Sequence, residues 1–107
     1  MGGSSIRLDT VSNPPKAVLL VRGEVDASTG PDFAAAVESL PKTITVVELD
    51  LTEVTFIDST ALGVIASLVH TMETRGGRVS VRNPSVMVLR LLTITDLLRF
   101  VTVVDDR

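Results

Sequence analysis

The sequence contains no cysteine, tryptophan or tyrosine, and its 3% aromatic content consists of three phenylalanines. The absence of cysteine excludes disulfide bonds and thiolate metal sites, and it fits a reducing cytoplasm. The absence of tryptophan and tyrosine argues against base stacking as a way of binding nucleic acid. Because aromatic rings are scarce, the core must be built from Val, Leu, Ile and Ala, within a hydrophobic content of 45%.

Basic clusters and long apolar segments are also lacking. Lys and Arg number 10 against 13 Asp and Glu, which gives a net charge of −3. Binding to nucleic-acid phosphates requires grouped basic side chains, so no nucleic-acid partner is expected. The longest apolar run, Ala61 to Val69, is far shorter than the roughly 20 residues of a membrane-spanning helix.

The N-terminus, Met1 to Ser5, has neither the charged start nor the apolar stretch of a signal peptide. Together with the composition, this predicts a cytoplasmic protein that does not insert into a membrane directly. The acidic balance favours other proteins as partners.

The spacing of apolar residues predicts one α/β domain over residues 1–107, with the element order β-β-α-β-α-β-α-β. A leading hairpin followed by helix-connected strands implies a mixed sheet with helices packed on it. Asn13-Pro14-Pro15 marks the hairpin turn, and the stretch Gly23 to Asp26 is expected to leave the sheet. The predicted strands are 6–11, 16–22, 43–51, 78–82 and 98–104, and the predicted helices are 29–40, 60–75 and 85–92.

The second predicted helix has two contrasting faces. Its predicted core face consists of Leu62, Ile65, Ala66, Val69 and Met72. Small and polar residues follow the opposite face, at Gly63, Ser67, His70 and Thr74. A helical glycine costs about 1 kcal/mol relative to alanine, so Gly63 indicates a close backbone approach, either by a partner or by a neighbouring strand.

Asp58-Ser59-Thr60 stands where a strand ends and this helix begins. Two interpretations are open: a cluster that only caps the free N–H groups of the helix, or a serine displayed for phosphorylation. A helix N-terminus tolerates phosphate well because its N–H groups and its dipole favour negative charge. If the flanking strands are parallel, this loop and the loop at Gly23 to Asp26 lie at the same end of the sheet, where α/β proteins place functional groups.

Catalytic and metal-binding alternatives find little support. Ser59, Asp58 and the single histidine, His70, supply the residue types of a catalytic triad. On a continuous helix, however, His70 lies about 16 Å from Ser59, whereas a base must approach its nucleophile to about 3 Å. One histidine and scattered carboxylates form no metal site, and the glycines match no phosphate-binding loop. We therefore expect a protein that is not an enzyme and has no metal or cofactor.

The stretch Val46 to Gly63, with Asp58-Ser59-Thr60 near its end, resembles the signature of the STAS domain family, and specifically of bacterial anti-sigma factor antagonists. Gly23-Glu24-Val25-Asp26 with Thr29 resembles the first loop of that family. Gly76-Gly77 and Asn83-Pro84 are also in register, so that the resemblance covers nearly the whole chain.

The resemblance implies partner switching in transcription regulation, of the kind used in stress responses. An unphosphorylated anti-anti-sigma factor binds an anti-sigma factor that is also an ATP-dependent serine kinase, and so releases the sigma factor. The kinase phosphorylates the serine after the motif aspartate, here Ser59, with Thr60 as the second choice, and a metal-dependent serine phosphatase reverses the reaction. The alternative is a STAS scaffold that is not phosphorylated, either as a regulatory subunit of a signalling assembly or as a regulator of a membrane transporter.

The sequence departs from the family pattern in three places, and the resemblance also implies a surface that binds the partner. Ala61 replaces a usual glycine and adds a methyl group beside the phosphorylation site, and Asp96 stands near another position that is commonly glycine. The chain stops where relatives often continue into a final helix, so that this helix is expected to be short or absent and Val86, Met87 and Val88 to be uncovered, in a monomer or weak dimer. The implied partner-binding residues are Gly23, Glu24, Asp26, Thr29, Asp58, Ser59, Thr60, Ala61, Gly63, Ser67 and His70.

Overall fold

The strands of the sheet lie side by side in the order in which they occur in the chain. In the computed structural model, which describes residues 5–107, the first two strands pair antiparallel and all later neighbours pair parallel. The predicted order of elements is confirmed, with a short 3-10 helix added before the last strand. The elements are β1 (Ile6–Asn13), β2 (Lys16–Val25), α1 (Gly30–Glu38), β3 (Val46–Ile57), α2 (Ser59–Thr74), β4 (Arg78–Arg82), α3 (Val86–Ile94), the 3-10 helix (Leu97–Phe100) and β5 (Val101–Val104).

The core lies on one face of the sheet. Each of the three helices connects a parallel strand to its next neighbour in the same direction, and right-handed connections of this kind place all the helices on one side. Alternate residues of the central strands are accordingly buried, among them Leu19, Leu49 and Val81. Phe33 from α1, Ile65 from α2 and Leu92 from α3 pack into the same cluster. Because the helices lie on one face, their outer surfaces stay available to partners.

Several predicted strand ends were wrong, including both ends of the third strand, which was predicted over 43–51 and spans Val46–Ile57. The stretch at Gly23 does not leave the sheet, because β2 continues to Val25 and pairs with an equally extended β3. Register shifts on either side of this stretch absorb the irregularity, and Gly23 adopts a φ of +93° that side chains disfavour. The glycine was interpreted as the end of the strand, but here it allows a bulge within it.

The last strand also begins later than predicted. Asp96 adopts a left-handed backbone, with φ of 65°, and the 3-10 helix that follows it takes up the first residues expected in the strand. A left-handed backbone favours glycine, which explains why glycine would suit this position.

On α3, Val86 and Met87 are exposed as expected, but Val88 is only 1% exposed, so the expectation that it is uncovered was wrong.

The buried face of α2 differs slightly from the predicted one. Leu62, Ile65, Val69 and Met72 are buried as expected, but Ala66 is exposed. Leu68 and Ala61 are buried in addition. The buried residues therefore centre on the line through 61, 65, 68 and 72, which runs straight along a helix with 3.6 residues per turn.

No helix among the described residues is long and apolar enough to span a membrane. The interpretation of the N-terminus as lacking a signal peptide falls on residues 1–4, outside the described range, apart from Ser5.

Candidate functional site

The candidate site lies at the carboxyl ends of β2 and β3. These strands are parallel, and their last residues, Val25 and Ile57, are paired. The chain then turns directly into α2, where the backbone N–H of Asp58 donates to the carbonyl of Val25 over 3.2 Å. The loop after β2 and the start of α2 are thus held at one end of the sheet, as expected if the strands were parallel.

Asp58, and not Ser59, caps α2. The Asp58 carboxylate accepts a hydrogen bond of 2.9 Å from the backbone N–H of Thr60, and its own backbone is extended. Ser59 is the first helical residue and is exposed. Within residues 5–107, the Ser59 hydroxyl has no hydrogen-bond partner. Because the capping function belongs to the aspartate, the serine hydroxyl is left accessible at a helix N-terminus.

Thr60 is turned toward the neighbouring helix. Its Cγ2 methyl group lies against Gly30, so closely that a Cβ at Gly30 would overlap it. Thr60 is also only partly exposed. The first turns of α1 and α2 are therefore in direct contact, and the threonine is less accessible than the serine before it.

The loop between β2 and α1 is closed by its own side chains. The Asp26 carboxylate accepts hydrogen bonds from the backbone N–H groups of Ser28 and Thr29, at 2.9 and 3.1 Å. The Thr29 hydroxyl donates to the carbonyl of Glu24 over 2.7 Å and accepts from the backbone N–H of Asp26 over 2.9 Å. Thr29 occupies the N-cap position of α1, but its side chain makes no capping hydrogen bond there. Thr29 therefore stands at the cap position without capping the helix, because its hydroxyl closes the loop instead.

The implied partner-binding residues differ in accessibility. Thr29 and Ala61 are 5% and 1% exposed, so they support the surface from within. The Ala61 methyl group belongs to the hydrophobic core cluster, and its expected effect on phosphorylation of Ser59 stays a prediction. Gly23, Glu24, Asp26, Asp58 and Thr60 are half-buried, and Ser59, Gly63, Ser67 and His70 are exposed.

Gly63 lies in a depression between two helices. A Cβ at this position would have no neighbour within 4 Å, so Gly63 does not accommodate a neighbouring strand, which was one of its two interpretations. It lines a cavity of about 270 Å³ together with residues of α1 and α2. Residues from α1, Ala34 and Val37, form the other wall. Sequence reasoning missed this wall, because periodicity within one helix does not indicate which helix lies beside it.

Ser59 and His70 lie too far apart to form a catalytic pair. His70 lies on the same continuous helix as Ser59, about 16 Å along its axis. Residues 5–107 contain no group of three or more His, Asp or Glu side chains able to hold a metal ion.

The perturbed ionisable groups lie on the open side of the sheet, away from Ser59. Arg82 at the end of β4 donates to Glu48 over 2.8 Å, and this contact raises the pKa of the guanidinium. The pKa of Asp106 is lowered, chiefly by the 2.7 Å hydrogen bond that the Asn83 amide donates to it and further by the charge of Arg82. These contacts hold the segment after β5 against the end of β4, a structural role separate from the candidate site.

The chain is similar to a known protein family, to a named relative and to several solved structures. The family model described as the STAS domain matches residues 7–107. An anti-sigma-B factor antagonist of Listeria monocytogenes is 36% identical over 80 residues, which cover 74% of this chain and 70% of the relative. Among solved structures, a Thermotoga maritima protein described as a candidate anti-sigma factor antagonist has a TM-score of 0.82 at 27% identity, over 94% of this chain and 86% of that one. SpoIIAA, an anti-sigma factor antagonist solved in its unphosphorylated form, shares the fold, with a TM-score of 0.73 at 19% identity over 96% and 90% of the two chains.

Proposed function

Since the chain belongs to the STAS domain family, we propose that it is an anti-sigma factor antagonist that binds an anti-sigma factor in the cytoplasm and so releases a sigma factor. The observation that carries the proposal is the display of Ser59, exposed in the first turn of α2 while Asp58 performs the capping. The name of the Listeria relative, an anti-sigma-B factor antagonist, supports the same function.

The switch in this proposal is phosphorylation of Ser59 by the anti-sigma factor acting as a kinase, reversed by a metal-dependent serine phosphatase. A phosphate adds about −1.5 to −2 charges at neutral pH. The free N–H groups and dipole of α2 stabilise that charge within the domain. The fold therefore need not change, and the added charge beside Asp58 is enough to disturb a fitted partner surface.

Thr60 is the poorer phosphoacceptor. Its methyl group is held against Gly30 and its side chain is partly covered. Ser59, by contrast, is exposed, so a kinase reaches its hydroxyl more easily. This difference favours Ser59 as the single modified position.

The proposal is tested by incubating the protein with candidate anti-sigma factor kinases and ATP and measuring its intact mass. We expect a gain of one phosphate, which Ser59→Ala abolishes. Ser12→Ala is the matched control, since Ser12 is an exposed serine on β1 outside the candidate site, and it should be phosphorylated like the parent chain. An equal mass gain in Ser59→Ala would overturn the assignment of the site.

The effect on binding is a separate measurement. Ser59→Asp should weaken the affinity for the anti-sigma factor, because it places a negative charge at the position of the phosphate. If an anti-sigma factor binds the chain but neither phosphorylates it nor discriminates against Ser59→Asp, the alternative of an unphosphorylated scaffold is favoured.

A further inference from the structure

A surface depression runs between α1 and α2, starting at the candidate switch. Its first part, of about 270 Å³, includes Thr60 and Gly63. Its second part, of about 210 Å³, continues to Arg75 at the other end of α2. Val37, Glu38 and Ser67 line both parts. We call this continuous depression the α1–α2 furrow.

The first part of the furrow is suited to an apolar side chain. Ala34 and Val37 from α1 and Val64 from α2 supply apolar surface. Gly63 lines the same part and contributes no side chain to fill it. A cavity of about 150 Å³ is large enough for a benzene-sized group. The larger volume here therefore accommodates a leucine or phenylalanine side chain.

The two helices that form the furrow carry charged residues of one sign. Helices α1 and α2 contain no Lys or Arg, whereas they carry Asp32, Glu38 and Glu73. Glu38 is exposed and lines the furrow. Arg75, just after α2, is engaged with the chain itself, since it donates to the carbonyls of Pro41 and Ile44. A segment that enters the first part of the furrow therefore meets an apolar surface beside the carboxylate of Glu38, which forms no ion pair within residues 5–107.

We propose that the furrow receives an apolar side chain from a basic segment of the anti-sigma factor, with a Lys or Arg of that segment pairing with Glu38. This inference rests on the proposed function, and it names a contact surface beyond Ser59 and the exposed face of α2. Continuity supports it, because Thr60 lines the furrow and directly follows Ser59.

The pairing with Glu38 is compatible with a switch based on negative charge. Glu38 lies eight residues along α1 from Gly30, which contacts Thr60. Eight residues correspond to about 12 Å along the helix axis, which exceeds the screening length of about 8 Å at physiological salt. The furrow thus contributes affinity and orientation, while the phosphate acts at the other end of the interface.

Gly63→Leu tests the furrow directly. The substitution places a side chain in the furrow, and it should fold normally because a Cβ at Gly63 would have no neighbour within 4 Å. We expect the Kd for the anti-sigma factor to rise at least tenfold. Ala35→Leu is the matched control, since Ala35 is exposed on α1 outside the furrow, and its Kd should stay within twofold of the parent value. Unchanged binding by Gly63→Leu, or an equal loss in Ala35→Leu, overturns the inference.

The charge contact is tested by reversal. Glu38→Lys should raise the Kd several-fold, whereas Asp32→Lys, on the same helix but outside the furrow, should have a smaller effect. If the two reversals raise the Kd equally, Glu38 acts only through the general charge of the helix, and the specific pairing is contradicted.

Failure of the furrow and failure of the proposed function are distinguishable. If the parent chain binds an anti-sigma factor and Gly63→Leu binds equally well, the furrow inference alone is wrong. If the parent chain binds no anti-sigma factor, the proposed function is wrong, and the furrow is examined with synthetic Leu/Lys and Leu/Glu amphipathic peptides. Changes in the NMR shifts of the Val37 and Val64 methyl groups with the Leu/Lys peptide, but not with the Leu/Glu peptide, then support a basic, apolar occupant. The absence of a shift with either peptide overturns the furrow inference.

Discussion

The methyl group of Thr60 occupies the space in which a side chain at Gly30 would begin. This contact joins the first turn of α2 to the first turn of α1, and it thereby positions Ser59 relative to the loop after β2. Gly30 is also anchored at its backbone, where its N–H donates to the carbonyl of Asp26 over 2.6 Å. The display of the serine therefore depends on a glycine that lies on another helix.

Gly30→Ala is expected to separate the two helix N-termini. Overpacking of a close contact costs about 1–3 kcal/mol, so the free energy of unfolding should fall by this amount in urea denaturation. Phosphorylation of Ser59 should also slow, because its first turn is displaced. Thr60→Ser removes the methyl group that causes the overlap, so the double variant should recover most of the stability. Strictly additive losses in the two single variants and the double variant would show that the residues do not interact.

Asp58→Ala is expected to lower the free energy of unfolding by about 0.5–2 kcal/mol, the usual range for loss of an N-cap. The loss follows because the Thr60 N–H loses its acceptor. Asp58→Asn keeps a side-chain oxygen in the same place without the charge, so it should stay close to the parent in urea denaturation. If both substitutions destabilise equally, the contribution of Asp58 is its charge at the helix N-terminus and not its hydrogen bond.

The element order could be predicted because each helix and strand carries its own apolar period. The exact ends of β2 and β3 could not, since Gly23 is equally compatible with a loop and with a bulge. Ala66 and Leu68 on α2 show a related limit: one alanine contributes little to the apolar pattern, so the buried face was placed slightly off its true centre. The predicted resemblance to the STAS domain family is confirmed by the family match over residues 7–107.

The candidate site was only partly predictable for a similar reason. Asp58, Ser59 and Thr60 are adjacent in sequence, so their position at a helix start follows from local preference. The contact between Gly30 and Thr60 and the wall that Val37 gives to the furrow depend on the packing of α1 beside α2. No pattern within either helix determines which residues of the other will face it. The binding role of the site residues stays a prediction.

The segment after β5 should give the stability of the protein a defined pH dependence. The pKa of Asp106 lies below its usual value of 3.8 in the folded protein, because Asn83 donates to its carboxylate and Arg82 lies close to it. A lowered folded pKa gives stability that is present above the usual value and is lost as the pH falls through the folded value. The stability difference between the parent and Asp106→Asn should therefore be constant near neutral pH and shrink below about pH 4. Thermal unfolding over a pH series measures it, with Asp32→Asn as the control for the charge change alone.

Ala61→Gly separates the stability of α2 from the chemistry at its N-terminus. The Ala61 methyl group is buried and packs in the core, so removing it should lower the free energy of unfolding. Loss of helix propensity alone contributes about 1 kcal/mol, and loss of core contacts adds to it. The rate of Ser59 phosphorylation, measured by intact mass over time at a temperature where both proteins are folded, should nevertheless match the parent rate, since the methyl group is buried whereas Ser59 is exposed. A clearly faster reaction in the glycine variant would show that Ala61 restricts the first turn of α2 and limits access of the kinase.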